Sequence, residues 1–201
     1  MIFEFLVKSV YLPLKASFSR KVANDYQRFK RSLPKLAEYQ ENIDINTAKV
    51  VNEYCAQLNY VSDPLNGVID YYNHPEHTQW IIEEKRFDLP YDCDDLAVLA
   101  VSLFRKIGYS YDKVKLCNLI ISPLKQFTQM YANHVICVLE FVDTRGIIWT
   151  AVIDTNTVAN KQLFMFEGNF EQTRKQIIDL FCNIYKVSYY RLIPVPDPFT
   201  N

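Results

Sequence analysis

Apolar residues recur at every third or fourth position through most of the first half of the chain and at every second position through most of the second half. The first spacing is typical of helices with one buried face, and the second is typical of strands. The helical spacing predicts helices at 46–59, 75–85, 93–107 and 170–182. The alternating spacing predicts strands at 113–122, 134–142, 147–154, 163–166 and 186–193. Helices followed by an antiparallel sheet predict an α+β fold.

The clearest predicted helix starts at or just before Cys93 and stops at Gly108. Its apolar stripe is formed by Leu96, Leu99, Ala100, Leu103 and Ile107. Gly108 stands where helices commonly end in a left-handed conformation. Counting one turn back from Leu96 puts Cys93 on the same stripe, so we expect its sulfur to point toward whatever packs on this helix.

His134 opens one predicted strand and Asp154 closes the next, and the turn 143–146 joins them as a hairpin. The separation between the two residues is even, so an even register puts both side chains on one face of the sheet. They stand directly opposite if the turn is centred near Thr144. They are diagonal neighbours if Gly146 takes the left-handed position of a three-residue loop, and an odd register would separate them.

A thiol at a helix start, with an imidazole and a carboxylate on neighbouring strands, is the set of groups that acyl transfer requires. The free N–H groups and the dipole at the helix start favour the thiolate of Cys93. His134 is then the expected base, and Asp154 is expected to orient its imidazole. The backbone N–H of Cys93 is a candidate oxyanion donor. The candidates for the second donor or a substrate contact are Trp80, Gln79 and Tyr72.

Three carboxylates, those of Asp92, Asp94 and Asp95, flank Cys93 in the first turn of this helix. Carboxylates in that position cap a helix and suit its dipole, which is the role we expect for Asp95 in particular. Their negative charge opposes formation of the thiolate, so an ion pair between Cys93 and His134 is required for catalysis.

These residues resemble the motifs of the transglutaminase-like superfamily. The stretch YDCDDLA at 91–97 and the apolar helix after it resemble the nucleophile helix, and the stretches 133–135 and 152–155 resemble the histidine and aspartate motifs in the same order. Upstream, 59–63 and 74–78 are similar to the segment before the cysteine in bacterial transglutaminase-like cysteine proteinases. The resemblance covers 46–156 and implies a papain-like core with Cys93, His134 and Asp154 as its triad. Tyr91 replaces the superfamily's glycine, and we expect it to narrow the approach to the thiol or to alter substrate choice.

The chemistry and the resemblance together predict a cysteine enzyme that acts on protein or peptide amides. Hydrolysis by a cysteine protease is favoured because the upstream similarity is to proteinases. A protein-glutamine transglutaminase or deamidase is one alternative, since water or an amine can resolve the same thioester. The other is a catalytically silent papain-like module for binding or structure, for example in a phage particle, and the apolar ends of the chain, 3–14 and 189–199, would suit docking to a larger assembly.

Charge and composition narrow the remaining classes of function. The chain has 201 residues, with 22 basic and 23 acidic side chains and 4 glycines. The balanced charge disfavours nucleic acid and membrane partners, while the scarce glycine and the lack of a phosphate-loop motif disfavour a nucleotide cofactor. We therefore expect no cofactor, and we expect one globular domain at 45–201 preceded by an N-terminal helical arm at 1–44.

The five cysteines are widely spaced and never form a C-x-x-C pair. This pattern predicts neither a disulfide framework nor a zinc knuckle, and it favours a reducing location such as the cytoplasm or a virion. Cys55 is expected in the core.

The apolar start at 1–14 carries charges and a proline, so we expect neither a signal peptide nor a membrane span. A metal held by His74 and His77 together with Cys93, His134 or the acidic cluster beside Cys93 is the weaker alternative, because the junction of His74 and Pro75 predicts a helix start.

Overall fold

The structure is a computed structural model, and it describes residues 43–58, 74–86, 88–89, 91–110, 112–122, 134–154, 163–186 and 189–194. The described helices are α1 (Ile43–Cys55), α2 (Pro75–Glu83), α3 (Cys93–Ile107) and α4 (Phe170–Tyr185). The described strands are β1 (Val114–Ser122), β2 (His134–Val142), β3 (Ile148–Ile153), β4 (Leu163–Glu167) and β5 (Tyr189–Pro194). The α+β class is confirmed, and each predicted element lies within a few residues of its expected bounds.

The expected arm at 1–44 lies outside the described residues except for the first two positions of α1. Among the described helices, none is both long and apolar enough to span a bilayer.

The strands form one sheet in the order β4-β3-β2-β1-β5, and every neighbouring pair is antiparallel. The sheet separates two hydrophobic cores because successive side chains of a strand point to opposite faces. Along β2, Val135, Cys137 and Leu139 join the core formed with α1, α2 and α3, whereas Ile136 and Val138 join the core beneath α4. The fold is therefore three-layered, with helices on both faces of the sheet.

Helix α3 is the centre of the first core, since every residue from Asp94 to Phe104 is buried. Burying a large apolar side chain contributes roughly 1.5–3 kcal/mol, so this helix supplies much of the driving force for folding. At its C-terminal end Gly108 adopts a φ of +116°, and its backbone N–H donates to the Phe104 carbonyl at 3.2 Å. This left-handed stop lets the chain reverse direction at the expected position.

The reversal after α3 determines which end of the sheet Cys93 lies near. The short segment 108–113 connects the end of α3 to the start of β1, and α3 packs on both β1 and β2. From this short connection we infer that α3 runs back along β1, with its start toward the end of β1 that pairs with the start of β2 at Leu119 and His134. We call this the upper end of the sheet; it comprises the end of β1, the start of β2 and the end of β3.

The turn between β2 and β3 is organised by the carboxylate of Asp143. This carboxylate accepts hydrogen bonds from the backbone N–H groups of Arg145 and Ile147, both at 2.9 Å, from the Arg145 guanidinium, and from the Trp149 indole at 3.1 Å. Gly146 adopts a φ of +82°, as expected for the left-handed residue of a three-residue loop. The turn thereby sets an even register, with Val142 opposite Ile148 and Cys137 opposite Ile153.

We predict that the stability contributed by the Asp143 turn depends on pH. Partial burial alone would raise the pKa of this carboxyl, but the hydrogen bonds from Ile147, Trp149 and Arg145 lower it from 3.8 to about 2. A depressed pKa contributes stability that is present above the unfolded value and is lost as the pH falls through the folded value. Urea unfolding of the wild type and of Asp143→Asn should therefore differ at pH 6 and converge as the pH falls from about 4 toward 2. A difference that stays constant across this range would contradict the assignment.

Candidate functional site

Cys93 is the first residue of α3, and its side chain is half-exposed. The preceding residue, Asp92, is the helix cap: its carboxylate accepts from the Asp94 N–H at 3.2 Å, and its own N–H donates to the Asp95 carboxylate at 3.4 Å. This reciprocal pair is a capping box, so the expected capping role of Asp95 is confirmed. The capping box fixes the start of α3 and hence the place of the thiol.

The other four cysteines have environments that disfavour reaction. Cys55, Cys117 and Cys137 are buried. Burial raises the pKa of the Cys55 and Cys117 thiols to about 12, and it raises the pKa of Cys137 well above its usual value. Cys182 is half-buried, and both its burial and the charge of Asp179 raise its pKa. Cys93 is thus the half-exposed cysteine at a helix start, where a thiolate is favoured.

His134 and Asp154 lie together at the upper end of the sheet. The register of β2 and β3 makes them diagonal neighbours, which is the second of the two even arrangements that the sequence allowed. His134 Nε2 lies 3.1 Å from Asp154 Oδ1, and the exposed fractions of the two residues are 2% and 3%. The two atoms do not meet the angular requirement of a hydrogen bond, so the contact is electrostatic and strengthens when the imidazole is protonated.

The His134 imidazole packs against two aromatic rings from the end of α4. Its centroid lies 6.1 Å from that of Phe181 and 5.9 Å from that of Tyr185, and both contacts are edge-to-face. His134 also pairs with Leu119, which belongs to the core beneath α4. The imidazole therefore lies on the face of the sheet that α4 covers.

This placement corrects one expectation from the sequence. We expected His134 and Asp154 to face the helix that carries Cys93, but α3 packs on the opposite face of the sheet. The expectation failed because β2 is buried on both faces of the sheet, so its sequence carries no alternation that tells which face α3 covers. The structure thus brings His134 and Asp154 into contact, but on the face of the sheet opposite α3, the helix that begins with Cys93.

The candidate substrate contacts occupy different environments. Trp80 is 37% exposed, and its ring stacks on His77 at 5.5 Å with the Arg86 guanidinium 5.7 Å from its centroid. Gln79 is buried, and its amide donates to Glu83 at 3.1 Å. Tyr91 is fully buried in the first core, and its expected effect on the approach to the thiol or on substrate choice stays a prediction. Tyr72 lies outside the described residues.

Among the residues that the structure describes, Asp92, Cys93 and Asp94 form a group whose potential metal-ligand atoms lie within 4.8 Å of one another. These residues are consecutive, and Asp92 is already engaged as the helix cap. The histidine pair is also engaged, because His74 Nδ1 contacts the Glu76 carboxylate and His77 stacks on Trp80. The structure therefore gives no support to a metal shared between the histidine pair and Cys93.

Sequence reasoning did not find the contribution of Phe181 and Tyr185 to the surroundings of His134. Their four-residue spacing predicts that they share one face of a helix, and the structure confirms that their rings stack at 6.3 Å. The spacing does not indicate which element packs against that face, since any buried strand could do so.

Comparisons with known proteins do not assign the chain to a family. No protein-family model matches it, and no curated protein matches it in sequence.

We predict that Asp92→Ala destabilises the protein by about 1 kcal/mol, because the capping box at the start of α3 is lost. Urea unfolding at neutral pH measures this change. Asp92→Asn is the matched control, since it retains a side-chain oxygen that can accept from the Asp94 N–H, and it should lose much less stability. Equal losses in the two variants would show that the charge of Asp92 matters more than its capping bond.

Proposed function

We propose that this chain is a thiol-dependent enzyme that transfers acyl groups from protein or peptide amides, with hydrolysis as its main outcome. The observation that carries the proposal is the buried contact between His134 and Asp154 at the end of the sheet where the half-exposed Cys93 begins α3. An imidazole held by a carboxylate, near a thiol at a helix start, is the constellation of a cysteine peptidase.

The roles of the three residues follow from their chemistry. Cys93 Sγ gives its proton to the imidazole and attacks the amide carbonyl carbon, forming a tetrahedral oxyanion. Because Nε2 faces Asp154, Nδ1 is the nitrogen that accepts this proton. The imidazolium is stabilised by the Asp154 carboxylate, and it then donates the proton to the departing amine as the thioester forms. Water resolves the thioester to an acid and restores the thiol.

The oxyanion needs donors at the start of α3. The backbone N–H of Cys93 occupies the first helical position, where N–H groups have no acceptor within the helix and the dipole favours negative charge. Of the candidates that the structure describes, the exposed Trp80 on α2 is favoured, since Gln79 and Tyr91 are buried.

Catalysis by this triad requires the imidazole to reach the thiol around the upper end of the sheet. His134 is the first residue of β2 and Asp154 follows the last residue of β3, so both residues lie at strand ends and not in the middle of the sheet. The proposed fold is accordingly a papain-like core. Its support is the order of elements, with the thiol helix followed by an antiparallel sheet whose adjacent strands carry the histidine and the aspartate.

The second candidate function is a non-catalytic module for binding or structure. Such a module would dock to partners in a larger assembly and would have no substrate. One observation favours it: His134 is 2% exposed beneath α4 and points from the sheet face opposite α3. In this case the His134–Asp154 contact would serve to satisfy two buried polar side chains.

The free thiols fit the proposed location in a reducing compartment, in the cytoplasm or in a virion. All five cysteines are described, and each is reduced. Disulfides rarely form in such compartments.

Alkylation separates the catalytic proposal from the binding module. Native protein treated with iodoacetamide near pH 7 should be labelled fastest at Cys93, and adducts on all five cysteines can be mapped by mass spectrometry. Cys182 is the internal comparison, because it is also partly accessible but its pKa is raised. Labelling of Cys93 should slow in His134→Ala and in the larger variant His134→Gln, with retained folding checked by circular dichroism. Equal labelling of Cys93 and Cys182, or no dependence on His134, would favour the module.

Incubation with casein separates hydrolysis from crosslinking. We expect new peptides without incorporation of a dansylated primary amine, and we expect loss of cleavage in Cys93→Ala. His134→Gln should lower the cleavage rate by roughly 10²-fold or more, the usual contribution of a positioned general base. Incorporation of the amine into casein would instead identify a transglutaminase, and release of ammonia without cleavage would identify a deamidase.

A further inference from the structure

We propose that Phe181 and Tyr185, which we call the aromatic cover, hold the His134 imidazole in a resting position away from Cys93. The triad then assembles when the last turns of α4 loosen. This inference rests on the proposed function, because it concerns how the same site is regulated.

The contacts of the imidazole are the first support. Phe181 and Tyr185 approach it edge-to-face at centroid distances of 6.1 and 5.9 Å, and their rings also stack on each other. Edge-to-face aromatic contacts are favourable beyond the area that they bury. His134 is only 2% exposed, so a substrate in solution cannot reach the ring in this arrangement.

The face of the sheet is the second support. The aromatic cover belongs to the core beneath α4, and α3 belongs to the core on the other face. Each contact between the aromatic cover and the imidazole therefore stabilises the imidazole on the face of the sheet opposite α3. Because the backbone sets the face of a strand side chain, the ring reaches the side of Cys93 only if the start of β2, which pairs with Leu119, also leaves the sheet.

The position of the cover within α4 is the third support. Tyr185 is the last residue of the helix and is half-buried, and Lys186 after it adopts a φ of 55° in the left-handed region that favours glycine. Helix ends open at lower free energy than the middle of a buried helix. The turn that covers His134 is thus the part of α4 best suited to move.

The test is the rate of Cys93 alkylation in variants of the full chain. Phe181→Leu and Tyr185→Leu remove the edge-to-face contacts while keeping apolar volume. Phe170→Leu is the matched control, because Phe170 is an equally buried phenylalanine of the same helix and core at the opposite end from His134. Tyr185→Phe retains the ring and should behave as the wild type.

We expect Phe181→Leu and Tyr185→Leu to raise the alkylation rate of Cys93 by about tenfold, since minor conformers are typically populated at about 10% or less. The gain should disappear when His134→Gln is added. Phe170→Leu should leave the rate unchanged, which separates the proposed effect from general destabilisation of α4.

Diethyl pyrocarbonate supplies a readout that does not depend on Cys93. The chain has three histidines, and the exposed His74 is the internal reference. His134 should be protected in the wild type, in Tyr185→Phe and in Phe170→Leu, and it should become reactive in Phe181→Leu and Tyr185→Leu.

Two results would overturn the inference, and they are distinguishable from failure of the proposed function. If Cys93 labelling depends on His134 in the wild type but Phe181→Leu and Tyr185→Leu do not increase it, the cover is not a resting contact and the enzyme proposal stands. If Cys93 labelling depends on His134 in none of the variants, the proposed function and the inference fail together.

Discussion

The carboxylate of Asp143 is the constraint on which the candidate site depends most directly. It accepts hydrogen bonds from backbone N–H groups of the β2–β3 turn and from the Trp149 indole. These bonds fix a three-residue loop with Gly146 in the left-handed region. The resulting even register extends to the far end of the hairpin, where it brings His134 within 3.1 Å of Asp154. A slip of one residue would move one of these side chains to the other face, so a turn at one end of the sheet determines the polar pair at the other.

Helix α3 supplies the complementary constraint. Its apolar residues are buried on all sides, so it can neither slide nor rotate without opening the first core. The capping box of Asp92 and Asp95 then fixes where the helix begins, and the first residue after the cap is Cys93. The thiol is therefore positioned by the most rigid element of the fold, whereas the imidazole is positioned by a strand end and by the last turn of another helix.

Much of this architecture could be predicted from the sequence. The bounds of α3 and β2 are those predicted, because Gly108 and the change of period mark them locally. The contact between His134 and Asp154 was one of two even registers, and the left-handed Gly146 decides between them. The face that these residues share with a helix could not be predicted, because β2 is buried on both sides and its sequence does not distinguish the side of α3 from the side of α4. The burial of Tyr91 was missed for a similar reason, since a motif position says nothing about which core receives the side chain.

The sheet separates the His134 side chain from α3, the helix that begins with Cys93. This separation bears on the choice between an enzyme and a binding module. A thiol and an imidazole held permanently on opposite faces would make the His134–Asp154 contact purely structural. A buried polar pair in that role is usually fully hydrogen-bonded, because a poorly aligned contact recovers little of the cost of removing the groups from water. The contact here has the distance of an ion pair without the alignment of a hydrogen bond. The misalignment concerns His134 Nε2, which lies at a strand end under the terminal turn of α4. A ring held there by its distance to a carboxylate and by edge-to-face aromatic contacts has fewer directional constraints than a hydrogen-bonded one, which favours a side chain with a second position.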